Sequence, residues 1–284
     1  MKTKLLSIFF ALLLILSVAV GCGAASAPIS LEEVPPFSGD PYVAINDNQP
    51  YFTAEEVTST SFETYAPLDG LGRCGVAVAS IGRDLMPTEA RGSIGSVKPS
   101  GWNTAKYDSV DGKYLYNRCH LIGFQLTGEN ANKSNLITGT RYLNIEGMLP
   151  FENMVADYVK ETGNHVMYRV TPIFAGDNLV ADGVLMEGYS VEDEGDGVCY
   201  CVFAYNAQPG ITIDYATGES ALDTAEAGDI EKTTDYVLNT KSKKFHNPDC
   251  SDVGKIKEEN RETFKGTRND LIQKGYSPCG TCKP

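Results

Sequence analysis

Residues 116–153 read YNRCHLIGFQLTGENANKSNLITGTRYLNIEGMLPFEN. This stretch contains His120, one of only three histidines among 284 residues. It also carries a set of asparagines, namely Asn130, Asn132, Asn135, Asn144 and Asn153. Because amide side chains are costly to bury without hydrogen-bond partners, these residues must cap, turn or serve chemistry. A rare histidine just upstream of such a cluster predicts a proton-transfer residue beside a hydrated metal site.

The flanking sequence predicts a mixture of strands and helices. Residues 114–124 alternate weakly, which predicts a strand through the histidine. Residues 137–145 are expected to form the first turns of a helix. Helical spacing resumes over residues 151–162, after Gly147 and Pro150 interrupt it. Apolar and β-branched runs predict further strands at residues 74–81, 165–174, 179–186 and 197–205.

A family resemblance is carried by the segments NRCHLIGFQLTGENANKSNLITGTRYLN and EGMLPFEN. They resemble the active-site region of DNA/RNA non-specific endonucleases with a ββα-metal site, in particular secreted and surface-bound streptococcal and clostridial-type DNases. The resemblance covers roughly residues 50–218. It implies an α+β fold in which a central antiparallel sheet is flanked by helices. The active site is then expected where a strand, a loop and a helix meet.

The resemblance assigns a role to each matching residue of this sequence. The family's Asp-Arg-Gly-His motif falls on residues 117–120, so His120 takes the general-base position. Asn144 matches the asparagine that ligates the metal through its side chain, and Glu152 matches a glutamate expected near the metal waters. Three further residues are catalytic candidates. Asn135 matches an asparagine that supports the site, Arg91 is a weaker match to an arginine that contacts phosphate, and Arg118 is the arginine of the motif.

Hydrolysis of a phosphodiester requires these residue types. A neutral imidazole near its ordinary pKa can take the proton of an attacking water. Mg²⁺, with Mn²⁺ as an alternative, stabilises charge on phosphoryl oxygens and needs few protein ligands, so one amide oxygen from Asn144 can suffice. A carboxylate such as Glu152 can orient the metal-bound waters. Taken alone, His120 would more often be an ordinary hydrogen-bonded residue, and its combination with the other matching residues is what favours catalysis.

Two positions depart from the family pattern. Asn117 stands where the family has an acid, so His120 lacks a carboxylate partner, although an amide oxygen can accept the same hydrogen bond. Cys119 replaces a glycine and is expected either to pack as a small apolar side chain or to pair with another cysteine. Any disulfide in this region is expected to join one of Cys74 and Cys119 to one of Cys199 and Cys201.

The N-terminus has the composition of an export sequence. Lys2 and Lys4 precede an apolar run, which predicts a signal peptide over residues 1–21. Small residues lead into Cys22, as in a lipobox, so Cys22 is the expected lipidation site and the proline-containing residues 22–48 the expected lipid-anchored linker. The alternatives are an ordinary signal peptide with a chance cysteine, or an uncleaved anchor. The chain is therefore predicted to be an extracytoplasmic lipoprotein of a bacterial cell membrane, secreted if the anchor is cleaved.

Charge is distributed unevenly along the chain. The formal net charge is −13, whereas residues 236–284 hold ten Lys/Arg and six Asp/Glu. An acidic protein can still act on a polyanion when a divalent metal and a few placed arginines supply local positive charge. We expect a nuclease domain at residues 49–220, an acidic linker at 221–235 and a separate small module at 236–284.

The C-terminal module contains HNPDC at residues 246–250 and CGTC at residues 279–282. These supply four ligands of the types found in tetrahedral structural Zn²⁺ sites: His246, Cys250, Cys279 and Cys282. So short a module with little apolar content could hardly fold without such a site. The stretch also resembles small Ada-like metal-binding modules. The alternative is a disulfide from Cys250 to Cys279 or Cys282 with an idle histidine.

The leading prediction is a membrane-tethered, metal-dependent endonuclease that cleaves DNA without sequence preference, with RNA left open as a second substrate. Its partners are then the nucleic acid and, through the lipid anchor, the membrane. The alternative is a catalytically inactive nucleic-acid-binding or adhesion lipoprotein on the same fold, motivated by Asn117 and the acidic composition. A metal-storing or zinc-sensing lipoprotein would rest on the C-terminal module alone.

Overall fold

The computed structural model describes residues 29–223, 234–282 and 284. The predicted signal peptide, residues 1–21, and the predicted lipidation site, Cys22, lie outside this part of the chain. Within the described ranges, no helix combines the length and the apolar character needed to cross a bilayer.

An antiparallel sheet of six strands forms the centre of the larger domain. The strands of this domain, in chain order, are β1 (Tyr42–Ala44), β2 (Phe62–Tyr65), β3 (Ala77–Ile81), β4 (Tyr116–His120), β5 (Leu136–Thr140), β6 (Val166–Ile173), β7 (Gly183–Ser190), β8 (Cys199–Tyr205), β9 (Ile211–Ile213) and β10 (Ser220–Leu222). The central sheet has the order β1-β8-β7-β6-β3-β2, while β4 pairs with β5 and β9 with β10. The predicted α+β class with a central antiparallel sheet is confirmed.

Helix α2 (Leu149–Thr162) packs its apolar side against the sheet. Phe151, Val155 and Val159 recur at helical spacing and are all buried, and each such burial stabilises the fold by about 1.5–3 kcal/mol. A proline is tolerated in the first turn, where its missing N–H needs no partner. The helix ends at Gly163, which adopts the left-handed conformation (φ 79°) that glycine favours. The helix predicted here is confirmed, and it begins two residues earlier than predicted.

The segment that leads into α2 differs from the prediction. Residues 137–145, predicted as the first turns of a helix, instead form most of β5, paired with β4, and the start of a π-helix over Leu143–Met148. The three β-branched residues of β5 favour extended backbone, and all of β5 is buried. Gly139 is required in β5, because the Cys119 thiol lies where a Cβ would be.

The predicted linker at residues 22–48 folds from residue 29 onward, so its boundary was placed too late. Ile29 and Ile45 are buried in a second core, and β1 pairs with strand β8 at the edge of the sheet. Prolines and small residues dominate this segment, and they obscure the few apolar side chains that anchor it. The larger domain therefore includes part of the chain that composition assigned to a tether.

The predicted disulfide between Cys74 or Cys119 and Cys199 or Cys201 is not formed, and every described cysteine is free. The Cys74 thiol lies 3.2 Å from the carbonyl oxygen of Leu136, and Cys119 is fully buried. Cys201 packs in the second core, where burial raises the pKa of its thiol to about 12. These three thiols behave as small buried side chains.

Residues from 234 onward form a sheet of their own. Its elements are β11 (Thr234–Asn239), β12 (Lys244–His246), β13 (Arg261–Gly266), α3 (Arg268–Gln273) and β14 (Ser277–Pro278), with the strand order β13-β11-β12-β14. Its buried apolar core consists of Tyr236, Leu238, Phe245 and Leu271. Strands β10 and β11 take up both ends of the predicted acidic linker, residues 221–235, and residues 224–233 lie outside the described part.

Candidate active site

His120 ends strand β4 and is 6% exposed, with its ring between Arg91 and Asn130. Its Nε2 lies 2.8 Å from the carbonyl oxygen of Asn130. A carbonyl can only accept a hydrogen bond, so Nε2 carries the proton of the neutral ring and Nδ1 keeps its lone pair. Nδ1 lies 3.1 Å from Arg91 Nη2, a group that can only donate, which fits this tautomer.

Electrostatics keep this imidazole neutral. Burial lowers the pKa of His120, the hydrogen bond to the Asn130 carbonyl opposes that shift, and the charge of Arg91 lowers the pKa further. A neutral ring with an unprotonated Nδ1 can accept a proton at physiological pH once Arg91 releases that nitrogen. The Asn130 carbonyl fixes the tautomer, a role that sequence reasoning left to Asn117. The Asn117 amide oxygen instead lies 3.5 Å from Arg141 Nη1.

Asn144 and Glu152 line the same cleft as His120, a cavity of about 760 Å³. Asn144 lies in the π-helix, a rare element that often occurs at functional sites. Its carboxamide makes no hydrogen bond to any described residue. Burial raises the pKa of Glu152 to about 7, against the lowering effects of Gln125 and Arg91. A half-buried carboxyl of this kind is stabilised in its charged form by a nearby cation.

Asn135 braces the backbone just after the histidine. It is fully buried, its Oδ1 accepts from the Ile122 N–H at 2.8 Å, and its Nδ2 donates to the Ile122 carbonyl at 2.9 Å. Its own carbonyl accepts from the Leu121 N–H at 2.9 Å. Asn135 thus lies where it can hold the loop without touching a reacting group, which suits the supporting role predicted for it.

The two predicted arginines are placed differently. Arg91 donates to the histidine and lines the cleft. Arg118 donates to the carbonyl oxygens of Gly95 and Val97. Its guanidinium stacks on the ring of Trp102, 4.0 Å from the centroid. Arg118 therefore fixes the loop that follows Arg91, and two of its N–H donors are engaged there.

Gly123 is a site residue that sequence reasoning missed. It immediately precedes the short helix α1 (Phe124–Thr127), three residues after His120. A Cβ at this position would lie 2.7 Å from Glu152 Oε2 and 2.7 Å from Glu152 Cδ. The glutamate carboxylate therefore packs directly on the glycine backbone. A lone glycine in a loop normally indicates a turn, so only the packing reveals this close approach.

The cleft is positively charged although the chain is acidic. Three arginines, Arg91, Arg118 and Arg141, line it, whereas Glu152 is the one carboxylate among its described lining residues. The aromatic residues of the lining are Trp102, Tyr114, Tyr116 and Phe124. A cleft lined by one sign of charge concentrates ligands of the opposite sign. The arrangement selects an anionic ligand, and Arg141 is the cleft arginine that sequence reasoning did not identify.

The four predicted zinc ligands meet in the C-terminal module. The ligand atoms of His246, Cys250, Cys279 and Cys282 all lie within 4.8 Å of one another. A tetrahedral Zn²⁺ site places such atoms about 3.3–3.8 Å apart. The buried His246 Nδ1 has no hydrogen-bond partner among the described residues. Backbone N–H groups donate to the thiols of Cys282 and Cys279, at 3.4 and 3.3 Å, so the donor set fits a thiolate-bound metal.

Comparison with known proteins identifies the class that this fold and site define. Residues 53–192 match the sequence model of the DNA/RNA non-specific endonuclease family. No curated protein matches the chain at a significant level. The family supports a nuclease function for the protein.

Solved nuclease structures share the fold. NucA from Streptococcus agalactiae with a magnesium ion bound is 27% identical, with a TM-score of 0.56 over 63% of this chain and 86% of NucA. The same protein with no metal bound gives 26% identity and a TM-score of 0.58, over 66% of this chain and 90% of NucA. The Sda1 nuclease with a bound zinc ion gives 24% identity and a TM-score of 0.53, over 68% of this chain and 99% of Sda1.

Proposed function

We propose that this protein is an extracellular, membrane-tethered, metal-dependent endonuclease that hydrolyses phosphodiester bonds of DNA, with RNA as a second substrate. One observation carries the proposal: His120, with its unprotonated Nδ1, lines the same positively charged cleft as Asn144 and Glu152. The location rests on the predicted signal peptide and on Cys22, and cell fractionation of the wild type and Cys22→Ser tests it.

His120 acts as the general base. Its Nδ1 takes the proton of the water that attacks phosphorus, while Nε2–H stays bonded to the Asn130 carbonyl and holds the ring in place. That carbonyl also stabilises the imidazolium that forms. Arg91 Nη2, 3.1 Å from Nδ1, turns to a phosphoryl oxygen when the substrate enters, because a guanidinium bonds an anionic oxygen more strongly than a neutral ring.

The residues around Asn144 fit a divalent cation. The unpartnered Asn144 carboxamide and the half-buried Glu152 carboxyl, whose pKa is raised to about 7, offer hard oxygen donors to the cleft. Asn144 would hold Mg²⁺, with Mn²⁺ as the alternative, and Glu152 would accept hydrogen bonds from its waters. When bound, the ion stabilises charge on the phosphoryl oxygens and on the leaving oxygen. The magnesium in the NucA structure supports this choice.

Asn144→Ala is expected to lower plasmid cleavage about 10²-fold or more, because metal stabilisation of the transition state is worth several kcal/mol. Asn144→Asp keeps an oxygen ligand and is expected to retain part of the rate. Initial rates on plasmid and on RNA, with Mg²⁺, Mn²⁺, Ca²⁺ or EDTA, measure both effects. Asn178→Ala, outside the cleft, is the matched control. Equal rates for Asn144→Ala and the wild type in every metal would place the ion elsewhere.

Gly123→Ala is expected to lower DNA cleavage up to about 100-fold. The added Cβ would displace the Glu152 carboxylate, and a misplacement of about 1 Å can cost that much. Gly70→Ala is the matched control, because nothing lies within 4 Å of a Cβ there. Both variants are compared with the wild type by initial rate and by thermal unfolding. A wild-type rate in folded Gly123→Ala would remove Glu152 from the proposed site.

An inactive binding or adhesion protein was the alternative that Asn117 motivated. Asn117 lies against Arg141, and the Asn130 carbonyl supplies the hydrogen bond that fixes His120. The substitution at position 117 therefore does not argue against a working base. Cleavage of plasmid by the purified full-length protein, abolished by EDTA, would exclude the inactive alternative.

We also propose that the C-terminal cluster holds a structural Zn²⁺. His246, Cys250, Cys279 and Cys282 would fill all four tetrahedral positions, which leaves none for water or substrate. This metal therefore has no part in hydrolysis. Its role is to stabilise a module whose apolar core is small.

A further inference from the structure

Arg141 precedes the proposed metal-ligand asparagine by three residues, and its guanidinium lines the cleft. Its Nη2 and Nε donate to Oδ2 of Asp111, at 2.7 and 3.1 Å. Its Nη1 lies 3.5 Å from Asn117 Oδ1, at the limit of a hydrogen bond. Asp111 is 79% exposed and lies on the loop that is closed by an isolated β-bridge between Lys106 and Tyr114. One exposed carboxylate thus provides the main contact of Arg141.

This contact is readily exchanged. Asp111 is well exposed, although the Arg141 side chain is only 32% exposed. An ion pair with one partner in water contributes little to stability, because water screens its charge. A single oxygen of the Asp111 carboxylate accepts from two donors of Arg141. The contact is therefore not the two-oxygen, two-donor pair that a guanidinium can form. A phosphodiester carries two non-bridging oxygens, which match the two parallel donors of a guanidinium. A phosphate that reaches Arg141 would therefore replace the carboxylate with a better-matched acceptor.

The other arginines of the cleft are engaged differently. Arg118 bonds two backbone carbonyls and stacks on Trp102, and Arg91 lies against the histidine. Tyr114 lines the same cleft, is 49% exposed and has Lys106 Nζ 4.4 Å from its ring centroid. Exposed aromatic rings are surfaces on which nucleobases stack. This part of the cleft therefore offers one phosphate contact and one base contact, separate from the residues that hydrolyse the bond.

We propose that Arg141 binds a phosphate of the substrate strand next to the scissile phosphate, and that Asp111 competes with the strand for this guanidinium. The inference rests on the proposed nuclease function and adds a binding residue to it. Entry of the strand breaks the contact between Asp111 and Arg141 and forms a two-oxygen contact to phosphate. Asp111 thereby weakens the binding of nucleic acid, and Arg141 strengthens it.

The decisive experiment compares Asp111→Asn with Asp108→Asn in the full-length protein. Asp108 lies on the same loop, is exposed, pairs with Lys113 at 2.9 Å and does not line the cleft. Both substitutions remove one negative charge, so they change the net charge equally. Asp111→Asn is expected to lower KM for duplex DNA about two- to fivefold, the usual effect of losing an exposed ion pair. Asp108→Asn is expected to leave KM unchanged.

Arg141→Ala is expected to raise KM for DNA about tenfold. It should also reduce the slope of log KM against log salt by about 0.9, the value for one lost phosphate contact on duplex DNA. Bis(p-nitrophenyl) phosphate has no neighbouring phosphate, so the loss on this small diester should be much smaller than the loss on DNA. If Arg141→Ala does not fold, the two aspartate variants decide the question.

Equal changes in KM for Asp111→Asn and Asp108→Asn would overturn the inference, because they would indicate a general field effect. A wild-type KM and salt slope for folded Arg141→Ala would overturn it as well. Both results would leave the proposed function intact, provided that the wild type cleaves DNA and the small diester. A wild type that cleaves neither in Mg²⁺ or Mn²⁺ would overturn the proposed function and this inference with it.

Discussion

His120→Ala is expected to lower plasmid cleavage in Mg²⁺ by about 10²–10⁴-fold, the usual contribution of a positioned general base. The substitution removes the unprotonated Nδ1, and no other histidine lines the cleft among the described residues. Initial rates of nicking of supercoiled plasmid measure the loss. Added imidazole is expected to restore part of the rate, because it can enter the space left by the ring and accept the proton. A purely structural defect would not respond to imidazole.

His165→Ala is the matched control for this prediction. His165 lies outside the cleft, and its Nδ1 lies 2.6 Å from Glu192 Oε1, so wild-type rates are expected. Thermal unfolding of both variants is compared with that of the wild type, because His120 also bonds the Asn130 carbonyl. Undiminished cleavage by a folded His120→Ala protein would overturn the assignment of the base.

The catalytic candidates could be predicted from the sequence because they occupy one continuous stretch with fixed spacing. His120 ends strand β4, and Asn135 lies in the turn just before β5, the strand that pairs with β4. Glu152 follows Asn144 by about two helical turns. The short spacing makes their proximity almost inevitable. His120, Asn144 and Glu152 line one cleft, and Asn135 is buried behind it. The roles of all four residues stay predictions that the variants test.

The partners of these residues could not be predicted, because they come from backbone groups or from distant parts of the chain. The group that fixes the His120 tautomer is a main-chain carbonyl, and every residue type carries one. The contact of Gly123 with Glu152 depends on the packing of a loop on a helix, 29 positions apart in the sequence. The pairing of Arg141 with Asp111 spans 30 residues.

Helix and strand were also hard to distinguish between β4 and α2. The apolar and polar residues of positions 137–145 fit helical spacing, and a helix, α2, does follow this segment. What favours a strand is the pairing of β5 with β4, which is a non-local interaction. The residues of positions 136–140 do not by themselves indicate that this segment pairs with β4. The N-terminal boundary of the larger domain was hard to predict for a related reason. The buried Ile29 and Ile45 are isolated apolar residues in a proline-containing segment.

Removal of zinc is expected to unfold the C-terminal module while the larger domain stays folded. Structural zinc sites contribute about 10–16 kcal/mol of apparent binding free energy at pH 7. The small apolar core of this module, which includes Phe245 and Leu271, cannot replace that contribution. Elemental analysis of the wild type is expected to find one zinc per chain, and Cys282→Ser is expected to lose it. Limited proteolysis should then degrade the module and spare the larger domain.

Cys199→Ser is the matched control, because Cys199 is a partly exposed thiol outside the cluster. Its zinc content and its proteolysis pattern are expected to equal those of the wild type. The competing disulfide from Cys250 to Cys279 or Cys282 predicts no zinc and two fewer reactive thiols in the unreduced, denatured protein. That combination would overturn the zinc site. Because a closed four-ligand site has no open position, zinc-depleted protein supplied with Mg²⁺ should still cleave DNA, which separates this metal from the one proposed at Asn144.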